Sequence, residues 1–413
     1  MNAYFSYLNE LVNKNKITFS GYSNLKWLNP YSAGEFQEIR NKLLTEIGNS
    51  VLFKGTKPYY NHISEGCKIC GEGTWSCLFI TGKCNGKCFY CPTEQKNDEI
   101  PTSQGLTFPT AKSYAEYVNY FKFKGVSFSG GEPLLFPERV IEYLSEIRKQ
   151  ASTDIYTWIY TNGILANNDV FNKLAETNLN EVRFDIGATG YNLDKIKFAK
   201  GKIKNLSIEI PAIPEEKEKL MKLLPEIIKA GVTNLNLHQL RLTEFNAPQL
   251  SKRNYTYIQA ERPIVLESEI AALEIINFAK EQNLEIGINY CSFFFKNRFQ
   301  SAGYRKLIAT GLKETENDIT SKGYIRKIDE NKLCYFKNKI TDEGKLTCKS
   351  ETLKLIEKSY SYCKELSDCQ NFSEITKSDF INMTKLEPIE IPSNQELFKI
   401  WNFEHIETGI RDY

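Results

Sequence analysis

Residues 77–91 read CLFITGKCNGKCFYC, an apolar run that leads directly into three closely spaced cysteines. Cys84, Cys88 and Cys91 follow a CxxxCxxC spacing, and Tyr90 stands just before the last of them. Three thiolates on one short loop can hold three irons of a 4Fe-4S cube and leave the fourth iron open to a substrate or cofactor. Zinc usually takes four ligands, often as CxxC pairs, and buried thiols without a metal are a further alternative. The spacing favours an iron-sulfur cluster with one open iron.

A second motif follows along the chain. The stretch 125–129, GVSFS, is predicted to be a strand, and it runs into Gly130, Gly131, Glu132 and Pro133. Glycines let the backbone approach a ligand that a Cβ atom would exclude, and a glutamate offers a carboxylate to a cation. The alternative is an ordinary strand-to-helix turn punctuated by Gly and Pro. In this order, CxxxCxxC followed by GGEP, the chain resembles the radical SAM superfamily.

The resemblance implies a chemistry and a set of cofactor residues. Radical SAM proteins bind the amino and carboxylate groups of S-adenosylmethionine (SAM) at the open iron and cleave it reductively to a 5'-deoxyadenosyl radical. By that likeness, the GGEP segment contacts the amino group, Asn162 and Asp185 bind the ribose hydroxyls, and Arg183 binds the carboxylate. A polar residue at a strand end is often simply solvated, so this alternative stays open for each. The implied SAM-binding residues are Tyr90, Gly130, Gly131, Glu132, Pro133, Asn162, Arg183, Asp185 and His238.

Hydrophobic periodicity predicts an α/β fold. Short runs rich in β-branched and aromatic residues recur at 78–81, 126–129, 155–160, 182–186, 206–212, 235–240 and 286–290, with helical periodicity between most of them. The predicted helices span 111–122, 137–149, 169–176, 215–230 and 267–282. Strands that alternate with helices form parallel βαβ units, and chemistry gathers at the carboxyl ends of such strands. The resemblance makes this a partial (β/α)6-type radical SAM barrel.

Length and charge set the outer limits. The chain has 413 residues, with 53 Lys plus Arg against 51 Asp plus Glu. The near-neutral balance argues against nucleic acid as an obligatory partner, although a local basic patch stays compatible with it. Neither a signal peptide nor an apolar run long enough to cross a membrane is evident, so we expect a soluble, cytoplasmic protein. We expect an N-terminal segment with a cysteine motif (1–75), a radical SAM core (76–300) and a C-terminal auxiliary metal region (301–413).

Eleven cysteines in a chain of this kind are better read as metal ligands than as disulfides. Cys67, Cys70 and Cys77 form one group, and the CxxC pair between glycines resembles a metal knuckle. This group would be structural or electron-relaying, because Cys77 lies about 13 Å before the strand end that carries the triplet. His62 or a cysteine from elsewhere is a candidate fourth ligand. Three buried thiols without a metal are the alternative.

The late cysteines form another group, Cys334, Cys348, Cys363 and Cys369. A turn signal at 341–344 predicts a hairpin that brings the first two together. The pattern resembles the auxiliary-cluster extensions of many radical SAM enzymes. It departs from them in a shorter spacing after the glycine and in lacking the tight final run of cysteines. A tetrahedral zinc site and free thiols stay open as alternatives.

Cys291 stands alone at the end of a predicted strand, so it should emerge on the catalytic side. Its thiol is a candidate catalytic group that ligates a cluster, binds substrate or donates a hydrogen atom, or else it is packed and inert. The aromatic and basic stretch 293–306 after it predicts either a surface for an anionic or aromatic partner or an amphipathic helix with its apolar face in the core. The long interval 241–267 is a candidate substrate lid.

Within the superfamily the chain is most similar to proteins labelled pyruvate formate-lyase activating-enzyme-like, and to relatives that join lipid chains into tetraethers. This similarity rests on GCxxC at 66–70, LFITG at 78–82 and YCSxxxK at 290–296. It implies a one-electron reductant such as flavodoxin or ferredoxin and leaves the substrate open among peptide or protein, lipid and small molecule. The alternative function is an iron-sulfur electron carrier or redox sensor, which would have no need of a GGEP segment.

Overall fold

The computed structural model describes residues 3–29, 34–95, 100–151, 154–312, 319–329, 332–336, 368–371 and 395–406. The strands, in chain order, are β1 (Lys26–Trp27), β2 (Val51–Leu52), β3 (Lys57–Tyr60), β4 (Trp75–Phe79), β5 (Thr102–Ser103), β6 (Leu106–Thr107), β7 (Gly125–Ser129), β8 (Tyr156–Thr161), β9 (Glu181–Phe184), β10 (Asn205–Pro211), β11 (Asn234–His238), β12 (Thr256–Ile258), β13 (Ile264–Val265), β14 (Gly287–Cys291), β15 (Ile325–Asp329), β16 (Lys332–Phe336) and β17 (Asp368–Asn371).

The α-helices, in the same order, are α1 (Ala3–Thr18), α2 (Gly34–Ile47), α3 (Glu65–Gly71), α4 (Ala111–Tyr120), α5 (Pro137–Gln150), α6 (Asn168–Glu176), α7 (Lys217–Lys229), α8 (Ala247–Leu250), α9 (Leu266–Glu281), α10 (Phe293–Phe295), α11 (Ser301–Leu312) and α12 (Gln395–Glu404). Local signals fix several of their starts. Thr110 and Asn167 cap α4 and α6 by accepting backbone N–H bonds, and α5 begins at Pro137.

The main sheet confirms the α/β prediction. Its order in the described residues is β2-β3-β14-β11-β10-β9-β8-β7-β4-β5-β6. The strands β4, β7, β8, β9, β10, β11 and β14 are parallel to one another in this row, and the flanking strands β3 and β5 pair antiparallel with β14 and β4. The seven apolar runs of the sequence are these seven strands. The architecture therefore fits a partial radical SAM barrel with one further parallel strand, β14, beside the six.

The outer face of the sheet is covered by helices. Leu78, Val126 and Val182 from the strands are fully buried in one apolar cluster with Leu144 of α5 and Ile276 of α9. Because successive residues of a strand face opposite sides, the alternate positions point toward the barrel interior. Burying the apolar face against the helices thus presents the other face of each strand to the interior.

That interior face is polar and hydrogen-bonded from strand to strand. Ser207 donates to Glu181 at 2.7 Å, and the Asn236 amide donates to Glu209 at 3.2 Å. Helix α3 packs against this face, because a Cβ atom added to Gly66 would overlap the Glu181 carboxylate and the Arg183 guanidinium. The predicted metal knuckle at Cys67 is therefore a short helix inside the barrel, capped by Ser64.

The interval 241–267 is a packed unit. It contains α8 and the antiparallel strands β12 and β13, and β12 pairs in parallel with β1 of the N-terminal segment. Tyr257 and Leu250 of this unit share an apolar cluster with Phe19, and Phe89 and Tyr90 of the cysteine loop pack against that cluster. The segment predicted to be a lid is thus a cover with its own hydrophobic core.

The C-terminal region is described only in parts. Strands β15, β16 and β17 form an antiparallel sheet. The predicted hairpin at 341–344 lies outside the described residues. The division into three regions stays a prediction. Among the helices that the structure describes, none has the length and apolar character needed to cross a membrane.

Candidate functional site

The cysteine triplet lies at the carboxyl end of β4, on the loop that the sequence predicted. All three cysteines are partly exposed. The backbone N–H of Gly86 donates to Cys84 Sγ at 3.3 Å, and a Cβ atom added to Gly86 would lie 3.5 Å from Cys84 Sγ and 3.7 Å from Cys88 Sγ. Cys91 Sγ donates to the carbonyl of Thr93 at 3.3 Å. Burial raises the pKa of Cys84, and it raises that of Cys88 to about 12.

The donor set fits an iron-sulfur cluster by its chemistry. Three thiols lie on one eight-residue loop, and a Cβ atom added to Gly86 would lie in ordinary van der Waals contact with the sulfurs of both Cys84 and Cys88. In the described part of the chain, no three His, Cys, Asp or Glu side chains already converge on a common metal position. The three cysteines thus fit an iron-sulfur cluster by the type of their ligand atoms and by their spacing on the loop.

The GGEP segment pairs with the start of this loop. Gly131 N donates to the Thr81 carbonyl and Glu132 N to the Lys83 carbonyl, both at 2.8 Å. A Cβ atom on Gly131 would overlap the Lys83 carbonyl, and Gly130 has φ +134°. The two glycines are therefore required by a close approach of backbone to backbone, in addition to the ligand approach that the sequence predicted.

Glu132 is buried and anchors the end of β8. Its carboxylate accepts three hydrogen bonds: from Leu134 N at 2.9 Å, Thr161 Oγ1 at 2.8 Å and Asn162 N at 2.7 Å. Burial raises the pKa of this carboxyl, and the hydrogen bonds act against the rise. The SAM amino group therefore has to share a carboxylate that already has three donors, and that contact stays a prediction.

Asn162 is brought directly to the cysteine loop. Its amide nitrogen donates to Asn85 Oδ1 at 2.7 Å and lies 3.8 Å from Cys84 Sγ. Glu132 holds the backbone of the same residue. The GGEP segment, the end of β8 and the cysteine loop thus form one hydrogen-bonded unit.

Tyr90 and Asp185 are also brought together. The Tyr90 hydroxyl donates to Asp185 Oδ1 at 2.8 Å. Burial raises the pKa of Asp185 to about 6, although Tyr90 and two backbone N–H groups oppose the rise. Tyr90 and Asp185, which the sequence analysis assigned separately to SAM, are therefore hydrogen-bonded to each other at the mouth of the barrel. Their roles toward SAM stay predictions.

Arg183 differs from its expected environment. Its guanidinium is only 1% exposed and pairs with Glu181 at 2.8 Å and with Glu209 at 2.7 Å. It also lies over the rings of Trp158 and Tyr160. Both carboxylates come from strand positions that face the barrel interior. The positive charge of Arg183 therefore balances negative charge inside the barrel. This arrangement does not favour the assignment of Arg183 to the SAM carboxylate.

His238 lies at the carboxyl end of β11, between an acid and a base. Its Nδ1 is 3.6 Å from Glu209 Oε1 and 3.3 Å from Lys296 Nζ. Burial, and then Lys296, lower the pKa of His238 to about 3, so the ring is neutral near pH 7. Burial alone would raise the pKa of Glu209, but the ion pair with Arg183 and the nearby Lys296 outweigh it and hold that pKa below its ordinary value.

Four other cysteines face the barrel interior or its walls. Cys67 and Cys70 lie one turn apart on α3, Cys77 lies on β4, and Cys291 ends β14. Lys57 Nζ lies 2.7 Å from both Cys291 Sγ and Asn289 Oδ1, and the Asn289 amide lies 3.8 Å from Cys67 Sγ. Burial raises the pKa of Cys77 to about 11 and that of Cys70 further. The metal-ligand role of the first three and the catalytic role of Cys291 stay predictions.

Two of the late cysteines meet in the backbone of the small sheet. Cys334 on β16 and Cys369 on β17 are directly opposed residues. Opposed residues of antiparallel strands have Cα atoms about 4.5–5.5 Å apart. Cys348 and Cys363 lie outside the described residues. The structure thus places the backbone of Cys334 opposite that of Cys369, a register that the predicted hairpin did not include.

Sequence reasoning missed several residues of the site. Lys57, Asn85, Glu209 and Arg241 carry no motif of their own. Glu209 alternates with apolar residues on a predicted strand, which was the available signal for an interior carboxylate. Lys57 lies far from the motifs in sequence, and only the pairing of β3 with β14 brings it to Cys291.

The comparisons with known proteins agree with the motifs. Residues 78–234 match the family model described as the radical SAM superfamily. The chain is 31% identical over 253 residues to a putative glycyl-radical enzyme activating enzyme of Methanocaldococcus jannaschii, covering 58% of this chain and 66% of that protein. It is 34% identical over 121 residues to a probable GTP 3',8-cyclase of the same organism, covering 29% and 38%. The chain thus spans less than two thirds of these relatives' lengths.

Solved structures are similar at a lower level. SuiB of Streptococcus suis bound to S-adenosylmethionine matches with a TM-score of 0.42 and 14% identity, covering 55% of each chain. The [FeFe]-hydrogenase maturase HydG matches with a TM-score of 0.34 and 11% identity, covering 70% of this chain and 71% of that one.

Proposed function

This chain belongs to the radical SAM superfamily, and from that premise we propose that it cleaves S-adenosylmethionine reductively and uses the resulting radical on a substrate. The observation that carries the proposal is the unit formed by the cysteine loop, the GGEP segment and Asn162. Two backbone bonds and a buried carboxylate hold these three parts together. An electron carrier would have no use for this arrangement, and no observation favours that alternative.

The chain's own residues would prepare the site. Cys84, Cys88 and Cys91 would ligate a 4Fe-4S cluster, which when bound supplies the electron that splits SAM into methionine and a 5'-deoxyadenosyl radical. Glu132 and the Gly130–Gly131 backbone would orient the methionine amino group. The Tyr90–Asp185 pair would bind the ribose side. Leu242, Tyr255 and Tyr257 of the cover are buried beside Tyr90, which excludes water from that side of the loop.

We propose that the late cysteines hold an auxiliary site and that the reductant is a small electron-transfer protein such as flavodoxin or ferredoxin. The opposed backbone positions of Cys334 and Cys369 support the first part. The substrate provides a C–H bond within reach of the radical. Because one relative is named a putative glycyl-radical enzyme activating enzyme, a glycine of a partner protein is one substrate to test.

The decisive experiment is anaerobic incubation of the reconstituted protein with SAM and dithionite, followed by mass spectrometry for 5'-deoxyadenosine and methionine. We expect both products from the native chain and none when Cys84, Cys88 and Cys91 are replaced by Ala. Glu138→Gln is the control variant, because Glu138 is an exposed residue of α5 outside the predicted metal groups and its replacement should keep the activity. Undiminished 5'-deoxyadenosine from the triple variant would contradict the proposal.

A further inference from the structure

We propose that the aromatic and basic stretch 293–306 forms one wall of a binding site for a small aromatic molecule that carries a carboxylate or phosphate group. The site is a cavity whose described lining comes from α1, α10, α11, α12, the cover and the turn before β15, and includes no residue of the main sheet. The inference goes beyond the proposed function, because binding in this cavity does not require SAM cleavage.

The size of the cavity suits one aromatic ring with an attached anionic group. An engineered apolar cavity of about 150 Å³ is large enough to bind benzene. The cavity here has a volume of about 230 Å³, which leaves room beyond one ring for a carboxylate or phosphate. Sites for larger, drug-sized ligands have about 300–1,000 Å³. A molecule with a single ring therefore fits this cavity better than a larger one.

Aromatic rings form most of the apolar part of the lining. They come from four stretches of the chain that are far apart in sequence, and they are Tyr4, Tyr7, Phe293, Phe294, Tyr324 and Phe403. Two of them, Tyr324 and Phe403, already pack edge to face with their centroids 5.1 Å apart. Aromatic rings attract one another in such arrangements at centroid distances of about 4.5–7 Å. A flat aromatic ligand would therefore extend contacts that the wall of the cavity already makes.

The lining also carries more positive than negative charge. Its described residues include three cations, Arg298, Arg305 and Lys322, and one acid, Glu261. Burial lowers the pKa of Arg305, and Tyr324 and Glu261 oppose this shift only in part. The protein therefore offsets only part of the unfavourable burial of this charge. An anionic group bound in the cavity would offset more of it.

Two of these cations are stacked on rings of the same lining. The Arg298 guanidinium lies 4.2 Å from the Phe294 centroid. The Arg305 guanidinium lies 5.2 Å from the Tyr324 centroid, and its Nε donates to the carbonyl of Lys322 at 2.8 Å. A stacked guanidinium contacts the ring with its face, and its N–H groups lie in its own plane, where a carboxylate or phosphate binds. Groups that recognise a ring and groups that recognise an anion are thus neighbours in this cavity.

Phe293 separates the cavity from the mouth of the barrel. Its ring lines the cavity, and the same ring lies 5.5 Å from the Arg241 guanidinium and 5.1 Å from the Lys296 ammonium. Lys296 in turn lies 3.3 Å from His238 Nδ1, at the carboxyl end of β11. A ligand in the cavity would therefore lie beside the barrel mouth, in a site separate from the predicted SAM residues.

Ligand-observed NMR on the reconstituted chain tests this inference. Phenyl phosphate and benzoate are the test ligands, because each combines a ring with an anionic group. Phenol and inorganic phosphate are the matched controls, because each has only one of the two parts. We expect the tighter test ligand to bind at least about tenfold more tightly than either control, since ring contacts and charge-assisted hydrogen bonds act together. Tighter binding of benzoate assigns a carboxylate ligand, and tighter binding of phenyl phosphate assigns a phosphate ligand.

Two variants locate the binding in the cavity. In Ala260→Phe the new ring would fill the space that Ala260 lines, so we expect no detectable binding of the test ligand. Arg298→Gln keeps the space and removes one stacked cation, so it should weaken binding by about tenfold. It also decides the question if Ala260→Phe does not fold. Lys252→Gln is the control, because Lys252 is an exposed residue of the same cover outside the lining, and it should bind as the native chain does.

Three results would overturn the inference. The first is binding of both test ligands that is no tighter than that of phenol or phosphate. The second is native affinity in Arg298→Gln and in a folded Ala260→Phe protein. The third is displacement of the test ligand by SAM, which would place it in the cofactor site. None of these measurements depends on SAM cleavage, so their result stands if the proposed function fails.

Discussion

Glu132 connects ligand binding to the frame of the site, because one carboxylate is expected to meet the SAM amino group while it holds Leu134, Thr161 and Asn162. In Glu132→Gln, an amide nitrogen would face one of these donors and the negative charge would be lost. A charge-assisted hydrogen bond contributes about 1.5–3 kcal/mol. We therefore expect SAM binding to weaken by about one to two orders of magnitude, measured by anaerobic calorimetry.

The two roles of Glu132 can be told apart by a second measurement. Glu138→Gln on α5 changes a carboxylate that is mostly exposed, and it should leave both SAM affinity and the unfolding free energy as they are. If Glu132→Gln lowers the unfolding free energy in urea but leaves the SAM dissociation constant unchanged, Glu132 only anchors β8 and the predicted amino contact is wrong.

His238 makes the stability of the fold depend on pH. Its folded-state pKa of about 3 lies below its ordinary value of 6.5, so the unfolded chain binds a proton that the folded chain rejects. The contribution of neutral His238 to the free energy of unfolding is then complete above about pH 6.5 and is lost as the pH falls toward 3. From pH 7 to pH 5 we expect a loss of at most about 2 kcal/mol, reduced by the partial exposure of the ring.

Urea unfolding at the two pH values checks this expectation. In His238→Gln the group that takes up the proton is gone, so the fall in unfolding free energy between pH 7 and pH 5 should be smaller than in the native chain. An identical slope in His238→Gln would show that the ring is protonated in the folded state.

At the scale of the element, the contact between the GGEP segment and the cysteine loop is a backbone contact. In Gly131→Ala the new methyl group would overlap the Lys83 carbonyl, next to Cys84. Overpacking usually costs about 1–3 kcal/mol. We expect the variant to unfold at lower urea and to retain less iron in the triplet after reconstitution.

The control for Gly131→Ala is Gly21→Ala, because nothing lies within 4 Å of a Cβ atom added to Gly21 and its φ is not positive. This variant should bind iron as the native chain does. Full iron content and native stability in Gly131→Ala would mean that the cysteine loop moves away from the new methyl group with no loss of unfolding free energy. The glycine would then be needed only to let a ligand approach the backbone.

The core elements were predictable because their signals are local. Alternation and β-branched runs located all seven parallel strands, and Pro137 marked the start of α5. The two-residue strands β1 and β2 were missed, since β1 exists only by pairing with β12, more than 200 residues away. The same limit applies to side chains. Strand ends predicted where Arg183 lies, but its partner Glu209 is on another strand and changes the role of the arginine.

At the scale of the molecule, charged side chains line the barrel interior, and α3 packs inside it. Arg183 and Lys57 are both buried there, and Glu181 and Glu209 supply the carboxylates on neighbouring strands. Lys57 has no carboxylate partner among the described residues, and its neighbours are the thiol of Cys291 and an amide. Burial nevertheless raises the pKa of Cys67 and Cys70 above the ordinary value of a thiol, so the nearby cations offset only part of the cost of a thiolate there.

How many metal sites the molecule holds can be decided by counting iron. With Cys84, Cys88 and Cys91 replaced by Ala, the cysteines left to bind a cluster are the late group, the Cys67 group and Cys291. About four irons and four sulfides per chain would support one auxiliary cluster, and about eight would add the Cys67 group. We expect about four, because Cys334 and Cys369 already occupy opposed positions on β16 and β17.

A second variant assigns the remaining iron. Replacing Cys334, Cys348, Cys363 and Cys369 by Ala in the same triplet background should remove it, whereas replacing Cys67, Cys70 and Cys77 should leave it in place. Iron that persists without the late cysteines would move the auxiliary site into the barrel, beside Lys57. No iron but about one zinc per chain in the triplet variant would refute an auxiliary cluster, because a tetrahedral zinc site needs the same four thiolates and only holds the fold.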